Sequence, residues 1–215
     1  MLNRRFFSRD DFSKGNEITM RKGAFLLMEG DQATQGVYLL LEGEVDIFIE
    51  GLDGQEILLF KLGPGHILGE MGIIGETQRM SFVRCLTTCK LLHISRESWN
   101  ESMKTEAFVR KLLASIVARY TETQKVVNRL GQSKVTLRLG AWLMDQNDWR
   151  ITENSDFIDI RLPTHINLAR MINCTRERIT RILNELIKEG AIVYIDEEKT
   201  ARIYRKKLIK ILQSQ

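Results

Sequence analysis

The chain has 215 residues, of which 43% are hydrophobic and 28% are charged, a composition typical of globular proteins. Charged residues interrupt every apolar run well before the roughly 20 residues that a membrane helix needs, so we expect no membrane association. The first residues, MLNRRFFSRDDF, turn acidic where a secretory signal would be apolar, and three cysteines form no disulfide framework. We therefore expect a reduced, cytoplasmic protein.

The net charge of +4 is distributed unevenly. Residues 1–130 hold 17 Lys and Arg against 17 Asp and Glu, whereas residues 161–215 hold 12 against 6. A basic end on a neutral body suggests a nucleic-acid-binding domain attached to a second domain, although a solvated charged face explains the surplus equally well.

The region from Ile18 to about Ile94 consists of short apolar runs punctuated by glycine. The period is near two, as in VDIFI and EILLF, and Asp53-Gly54 between two runs predicts a hairpin turn. Several short strands without intervening helices predict an all-β sandwich or barrel, with or without a binding site.

Between Thr105 and Leu130 the chain contains neither glycine nor proline. Apolar residues recur there at spacings of four and three, with Thr123 filling one gap, and this heptad pattern predicts a long helix that dimerises through its seam. The seam residues are Val109, Leu113, Ile116, Tyr120, Val127 and Leu130. Alternatively the helix packs on its own domain, a task that the second stripe of Phe108 and Leu112 could perform.

Residues 134–146 predict a further helix, followed by a polar loop and the short alternating strand FIDIRL. In the next segment Thr164 and Thr175 can each cap a helix, and Asn173-Cys174 separates the two helices. Two short helices joined by a tight turn, with strand-like runs on both sides of residues 196–200, predict a winged helix-turn-helix.

The second of these helices carries an exposed polar face at its beginning. The residues of this face are Arg176, Glu177, Thr180 and Arg181. Arginine can bind guanine O6 and N7 bidentately and glutamate can accept from cytosine N4, so this face predicts base reading in a major groove.

The segment GPGHILGEMGIIGETQRMSFV places Gly69 before Glu70 and Arg79 nine residues later. A glycine-flanked turn can hold an anion, an arginine adds a bidentate phosphate partner and a carboxylate can bind a ribose hydroxyl. From the residue chemistry alone, a strand turn with a surface ion pair is an equal alternative.

These features together resemble the CRP/FNR family of bacterial transcription regulators over nearly the whole chain. The resemblance implies that Glu70 binds the ribose 2′-hydroxyl and Arg79 the phosphate of a cyclic nucleotide. It implies further that Arg176, Glu177 and Arg181 read a TGTGA-like half-site, and we expect Thr164, Thr175 and Thr180 to complete the DNA-binding residues.

The same resemblance places a phosphate contact at Thr164 and the family's RNA polymerase contact near Trp149–Asp156. The implied fold is α+β: an N-terminal cyclic-nucleotide-binding β-roll or jelly roll, a long dimerisation helix and a C-terminal winged helix-turn-helix. We expect boundaries at 1–104, 105–131 and 132–215.

The chain departs from the cyclic-AMP-responsive members at the effector. Met80 stands where they have a phosphate-binding serine, and Glu122 and Thr123 stand where they have the Thr-Ser pair that binds adenine. A carboxylate can accept both N1–H and N2–H of guanine, so Glu122 favours cGMP rather than cAMP as the effector. Alternatively, Glu122 points into solvent, or the pocket is degenerate or takes a different effector. We therefore expect a cyclic nucleotide, cAMP or cGMP. The candidate effector residues are Gly69, Glu70, Arg79, Met80, Ser81, Glu122 and Thr123.

The remaining residues suggest neither catalysis nor a metal site. No cysteine precedes Cys85, so an N-terminal iron–sulfur cluster is not expected, and we identify no paired carboxylates or Ser-His-Asp set. The sequence therefore predicts a homodimeric regulator that binds double-stranded DNA and is controlled by a nucleotide effector. The competing hypothesis is a nucleotide-binding module whose C-terminal domain docks a partner protein.

Overall fold

The computed structural model describes residues 4–12, 14–33, 36–51, 54–75, 78–146, 156–196 and 200–213. The chain divides into two compact units, Met1–Thr123 and Gln124–Gln215. No helix in the described part of the chain is both long enough and apolar enough to span a membrane.

The first unit contains two four-stranded antiparallel sheets. Its strands are β1 (Asn16–Met20), β2 (Phe25–Leu27), β3 (Val37–Glu42), β4 (Val45–Glu50), β5 (Glu56–Leu62), β6 (Ile67–Leu68), β7 (Phe82–Cys85) and β8 (Cys89–Ile94). The strand orders are β1-β8-β3-β6 and β2-β7-β4-β5. The predicted β-rich domain is confirmed, and β4 and β5 pair as a hairpin around residues 51–55, although Asp53 lies outside the described residues.

Strand β3 is apolar along most of its length because both of its faces are buried. Val37 and Leu39 belong to one hydrophobic cluster, whereas Tyr38 and Leu40 belong to another. Successive side chains of a strand point to opposite faces, so one sheet serves two cores. One core also takes in the aromatic N-terminal segment and the helices, and the other lies among residues of both sheets.

The first unit also contains α1 (Glu70–Ile74), α2 (Arg96–Ser102) and most of the 25-residue α3 (Glu106–Leu130), whose last residues belong to the second unit. Phe108 and Leu112 of α3 are buried in the same cluster as Trp99 of α2. This second stripe therefore packs on the helix's own unit, and Ile116 of the seam packs against the same cluster, whereas Leu113 and Tyr120 of the seam are exposed.

The second unit is built around a single hydrophobic cluster. Its elements are α4 (Val135–Asp145), β9 (Phe157–Arg161), α5 (His165–Ile172), α6 (Arg176–Lys188), β10 (Ile192–Tyr194), β11 (Thr200–Tyr204) and α7 (Arg205–Gln213). The strands form an antiparallel sheet in the order β10-β11-β9, so the predicted winged helix-turn-helix is confirmed.

The turn between α5 and α6 depends on one left-handed residue. Asn173 has a φ of 54°, a conformation that asparagine adopts more readily than most residues. Thr164 accepts a hydrogen bond from Asn167 N at 3.3 Å, and Thr175 caps α6 in the same way. Local chemistry alone thus sets where each helix begins.

Helix α7 was not predicted from the sequence. The wing strand β11 passes directly into it at Arg205, with no glycine or proline to mark the change. Lys206 and Lys207 are exposed on its first turn. The polar loop predicted to contact RNA polymerase lies, apart from Asp156, outside the described residues.

Candidate functional sites

A cavity of about 350 Å³ lies in the first unit, between the β-sheet residues and α3. Most of its wall is apolar, and a few charged groups converge on it, which is the usual character of a small-molecule site. Its lining residues include Leu27, Ile47, Phe60, Gly69, Glu70, Arg79, Met80, Ser81, Val83, Ile116, Arg119, Tyr120 and Thr123.

Glu70 is the first residue of α1 and is only 1% exposed. The residue before it, Gly69, turns the backbone into α1 with a φ of 87°, a conformation that favours glycine. The buried carboxylate lies 2.8 Å from Nη1 of Arg119, whose Nη2 is 3.3 Å from the Ser115 hydroxyl. This ion pair links the cavity floor to the middle of α3.

Arg79 is buried and held by the backbone. Its Nη1 donates to Gly69 O at 2.6 Å and its Nη2 donates to Gly36 O at 2.9 Å. Burial lowers the pKa of the guanidinium, while the neighbouring Glu70 and Asp31 oppose the shift. The position of this cation is therefore set before any ligand arrives, as an anion site requires.

The remaining predicted effector residues fall into two groups. Met80, Ser81 and Thr123 line the cavity, and Met80 is 63% exposed at its edge. The Thr123 hydroxyl donates to Arg119 O at 3.0 Å within its own helix. Glu122 is half-buried and does not line this cavity.

Sequence reasoning missed Arg119. Its signal was nonetheless present, because Arg119 and Thr123 are four residues apart and residues at this spacing share a helix face. What the sequence could not reveal is the partner, since Glu70 lies 49 positions away along the chain.

The second unit presents a groove along the exposed side of α6. Its lining residues are Arg176, Glu177, Thr180, Arg181, Asn184, Glu185 and Lys188. All four residues predicted to read bases therefore share one surface. Asn184 and Lys188 were not predicted from the sequence. They extend this surface along α6, because residues three, four or seven positions apart lie on one side of a helix.

Two further residues of the predicted DNA interface have structural partners. Thr164 and Thr175 are the N-caps of α5 and α6, and each hydroxyl accepts a backbone N–H. The Thr180 hydroxyl lies 2.8 Å from Nδ1 of His165, the first residue of α5. The two helices are therefore joined by a polar contact at the groove.

The predicted seam on α3 is partly exposed in the single chain. Leu113, Tyr120 and Val127 are 57%, 63% and 62% exposed, and Val117 extends their stripe. Val109, Ile116 and Leu130 are half-buried. Adjacent apolar side chains this exposed on one helix face mark a surface for interaction.

Comparison with known proteins matches each unit to a described family. Residues 17–106 match the cyclic nucleotide-binding domain, and residues 137–210 match the Crp-like helix-turn-helix domain. The first match contains the Glu70–Arg79 segment of the cavity, and the second contains the α6 groove.

Two similar proteins are transcriptional regulators by name. The chain is 28% identical over 174 residues to the cAMP-activated global transcriptional regulator Vfr of Pseudomonas aeruginosa, covering 78% of this chain and 80% of that protein. It is equally similar over 172 residues to the cAMP-activated global transcriptional regulator CRP of Salmonella typhimurium, with the same coverage of each chain.

Among solved structures, the c-di-GMP-responsive global regulator CLP of Xanthomonas campestris superposes with a TM-score of 0.69. It is 25% identical, and the match covers 88% of this chain and 94% of that one. A transcriptional regulator from Thermus thermophilus shares the fold at 20% identity, with a TM-score of 0.62 and coverage of 92% and 98%.

Proposed function

The chain belongs to the CRP/FNR family of bacterial transcription regulators, and we propose that it is a homodimer whose DNA binding is controlled by a nucleotide effector. The observation that carries the proposal is the α6 groove, where Arg176, Glu177 and Arg181 are exposed together at the start of a capped helix. A recognition helix contacts base edges with its N-terminal residues. The proposed half-site is TGTGA-like.

The chemistry of the groove supports base reading rather than protein docking. Two arginines can bind guanine bidentately, and the glutamate between them can accept a cytosine amino group. We expect Arg181→Ala to weaken specific binding by roughly 1–3 kcal/mol and to relax the preference at one base pair. Competition between matched and mismatched duplexes measures this effect.

Lys206→Ala is the charge-matched control for this variant, since Lys206 lies on α7 and pairs with Asp156. It should leave the base preference unchanged and alter only the salt dependence. An Arg181→Ala protein with an intact base preference would contradict the proposed placement of α6.

The cavity supports a nucleotide as the effector. Arg79 is a preset cation for a phosphate, Glu70 is a carboxylate for a ribose hydroxyl, and the apolar wall suits a base. At about 350 Å³ the cavity falls in the usual range for small-molecule sites. Met80 in place of a serine removes one hydroxyl from the phosphate end, which makes Arg79 the principal phosphate partner.

The exposed stripe on α3 supports the dimer. Two copies packed through Leu113, Val117 and Tyr120 would cover apolar surface that a single chain leaves in water. Tyr120 and Thr123 line the cavity, so the same helix would connect dimer and effector. An effector that binds one dimer arrangement more tightly shifts the population toward recognition helices about 34 Å apart.

Three candidate effectors follow from these observations. Cyclic AMP is supported by the names of the relatives Vfr and CRP, and c-di-GMP by that of CLP. Cyclic GMP is supported by Glu122 if the partner subunit brings that carboxylate to guanine, because Glu122 does not line its own cavity. In that case Glu122→Gln would weaken cGMP binding and leave cAMP binding unchanged.

The testing experiment is fluorescence anisotropy with a palindrome of two TGTGA half-sites, without effector and with each of the three nucleotides. A nucleotide that tightens binding tenfold contributes about 1.4 kcal/mol of coupling and identifies the effector. Tight DNA binding that is equally strong with and without each nucleotide would support the DNA-binding function and contradict the nucleotide effector. Failure to bind any duplex would favour the protein-docking alternative.

A further inference from the structure

Thr180 occupies the middle of the α6 groove, between Glu177 and Arg181. Its hydroxyl oxygen has two close partners within the protein, one on its own helix and one on α5. The Arg176 carbonyl lies at 3.0 Å within α6, and Nδ1 of His165 on α5 lies at 2.8 Å.

The hydrogen positions leave the oxygen little freedom. A threonine hydroxyl has a single hydrogen. If it is donated to the Arg176 carbonyl, the oxygen accepts from His165 Nδ1–H; if it is donated to His165, the contact with Nδ1 remains. In both arrangements the single hydroxyl hydrogen is committed within the protein, so Thr180 has no hydrogen to donate to a base in the groove.

The γ-methyl of Thr180 is then the group available to DNA. The Cβ atom is tetrahedral and a β-branched side chain has few χ1 rotamers, so an oxygen held toward α5 directs the methyl elsewhere. Thr180 is half-buried, and its remaining surface lines the groove. Thymine presents a C5-methyl in the major groove that pairs with such apolar contacts.

We infer that Thr180 reads a thymine C5-methyl through its own γ-methyl, with His165 as the positioning residue that holds the hydroxyl away. This inference rests on the proposed DNA-binding function and deepens it. The proposed half-site then contains one thymine that is selected by shape rather than by hydrogen bonds. His165 acts through Thr180, since its Nδ1 is committed to the Thr180 hydroxyl.

The test replaces thymine by deoxyuridine, which removes only the methyl. The duplex is the one that the wild-type protein enriches from a random pool, and each half-site thymine is exchanged in turn. One position should lose about fourfold in affinity, the value of one buried methyl, while the others change little.

Variants of Thr180 assign that loss to the methyl contact. Thr180→Ser keeps the hydroxyl and removes the methyl, so its binding should no longer distinguish thymine from deoxyuridine at that position. Thr180→Val keeps a methyl and removes the hydroxyl, so the distinction should persist. A change that merely destabilised the fold would weaken binding to both duplexes equally.

Variants of His165 test the positioning role. His165→Ala releases the hydroxyl and should reduce the thymine preference, whereas His165→Asn offers an amide N–H near the place of Nδ1 and should restore it. Equal preference in wild type, His165→Ala and His165→Asn would overturn the role of His165.

The outcomes also separate this inference from the function on which it rests. DNA binding with no deoxyuridine effect, or an enriched half-site without thymine, overturns the inference alone. A Thr180→Ser protein that still prefers thymine does the same. The absence of binding to any DNA overturns the proposed function, and the inference with it.

Discussion

Arg119 and Glu70 form an ion pair with little access to water, since their side chains are 10% and 2% exposed. Removing one partner of such a pair leaves the other charge buried and uncompensated. The pair thus ties the stability of the first unit to the groups that would bind the ribose.

We expect Arg119→Ala to lower the free energy of unfolding by roughly 3–5 kcal/mol. Arg110→Ala is the control on the same helix, because its pair with Glu106 is exposed and should contribute under about 1 kcal/mol. Urea unfolding measures both. Similar losses for the two variants would show that the buried pair has no special role.

Gly69 offers a second test at the cavity. It has a φ of 87°, and an added Cβ would lie 2.5 Å from Nη1 of Arg79. Gly23 has nearly the same φ, 84°, with nothing within 4 Å of its Cβ position. The two glycines therefore share the backbone strain of a substitution but not the clash.

Gly23→Ala should lower stability by about 1–2 kcal/mol, the strain of a left-handed alanine. Gly69→Ala should lower the free energy of unfolding by more than Gly23→Ala does, because Arg79 must move. For the same reason it should also weaken nucleotide binding. Unfolding and calorimetric titration with cAMP, cGMP and c-di-GMP measure the two effects. Equal losses of stability in Gly69→Ala and Gly23→Ala would show that Arg79 moves aside without a measurable loss of free energy.

The wing sheet contains a bidentate ion pair between Arg202 and Asp159. Arg202 on β11 is directly opposite Asp159 on β9, and its Nε and Nη2 donate to the carboxylate at 2.8 and 2.9 Å. The hydrogen bonds from Arg202 lower the pKa of Asp159 below its ordinary value. The Arg202 guanidinium also lies 4.0 Å from the centre of the Phe157 ring.

The direction of that pKa shift sets a pH dependence. A carboxyl whose pKa is lower in the folded state stabilises the fold above its unfolded pKa, near 4, and loses this contribution as pH falls through the folded pKa. Asp159→Asn should therefore reduce the thermal stability at pH 7, and the difference from wild type should shrink below about pH 4.

Asp156→Asn is the control for this measurement, because the Asp156–Lys206 pair is largely exposed. It should change the melting temperature little at any pH. A constant difference between Asp159→Asn and wild type from pH 7 to pH 3 would contradict the role of the carboxylate charge.

At the scale of the whole molecule, the proposed dimer depends on an exposed stripe of α3. Val117 is 62% exposed at its centre, so Val117→Glu should leave the fold intact while placing like charges across the seam. We expect a monomer in analytical ultracentrifugation and a large loss of affinity for a palindromic duplex.

Ala107→Glu adds the same charge to an exposed position of α3 away from this stripe and should remain dimeric. A Val117→Glu protein that sediments as a dimer would contradict the assembly through α3. A monomer with unchanged palindrome affinity would contradict the need for two recognition helices.

Sequence periodicity by itself predicted most of the elements, although not the short helices α1 and α2, of which α1 interrupts the strands between β6 and β7. Alternation near two predicted the strands from Ile18 to Ile94, heptad spacing predicted α3, and cap residues predicted where α5 and α6 begin. Each signal is local, because strand alternation, helix spacing and caps act over a few residues. The same locality explains why α7 was missed, since no glycine or proline separates it from β11.

Only the tertiary structure decided which residues meet. The Glu70–Arg119 pair joins α1 to α3, and the His165–Thr180 contact joins α5 to α6. Neither pairing has a sequence pattern, because both depend on how the chain folds back on itself. The fold class was therefore predictable from local patterns, whereas the groups that orient the predicted site residues were not.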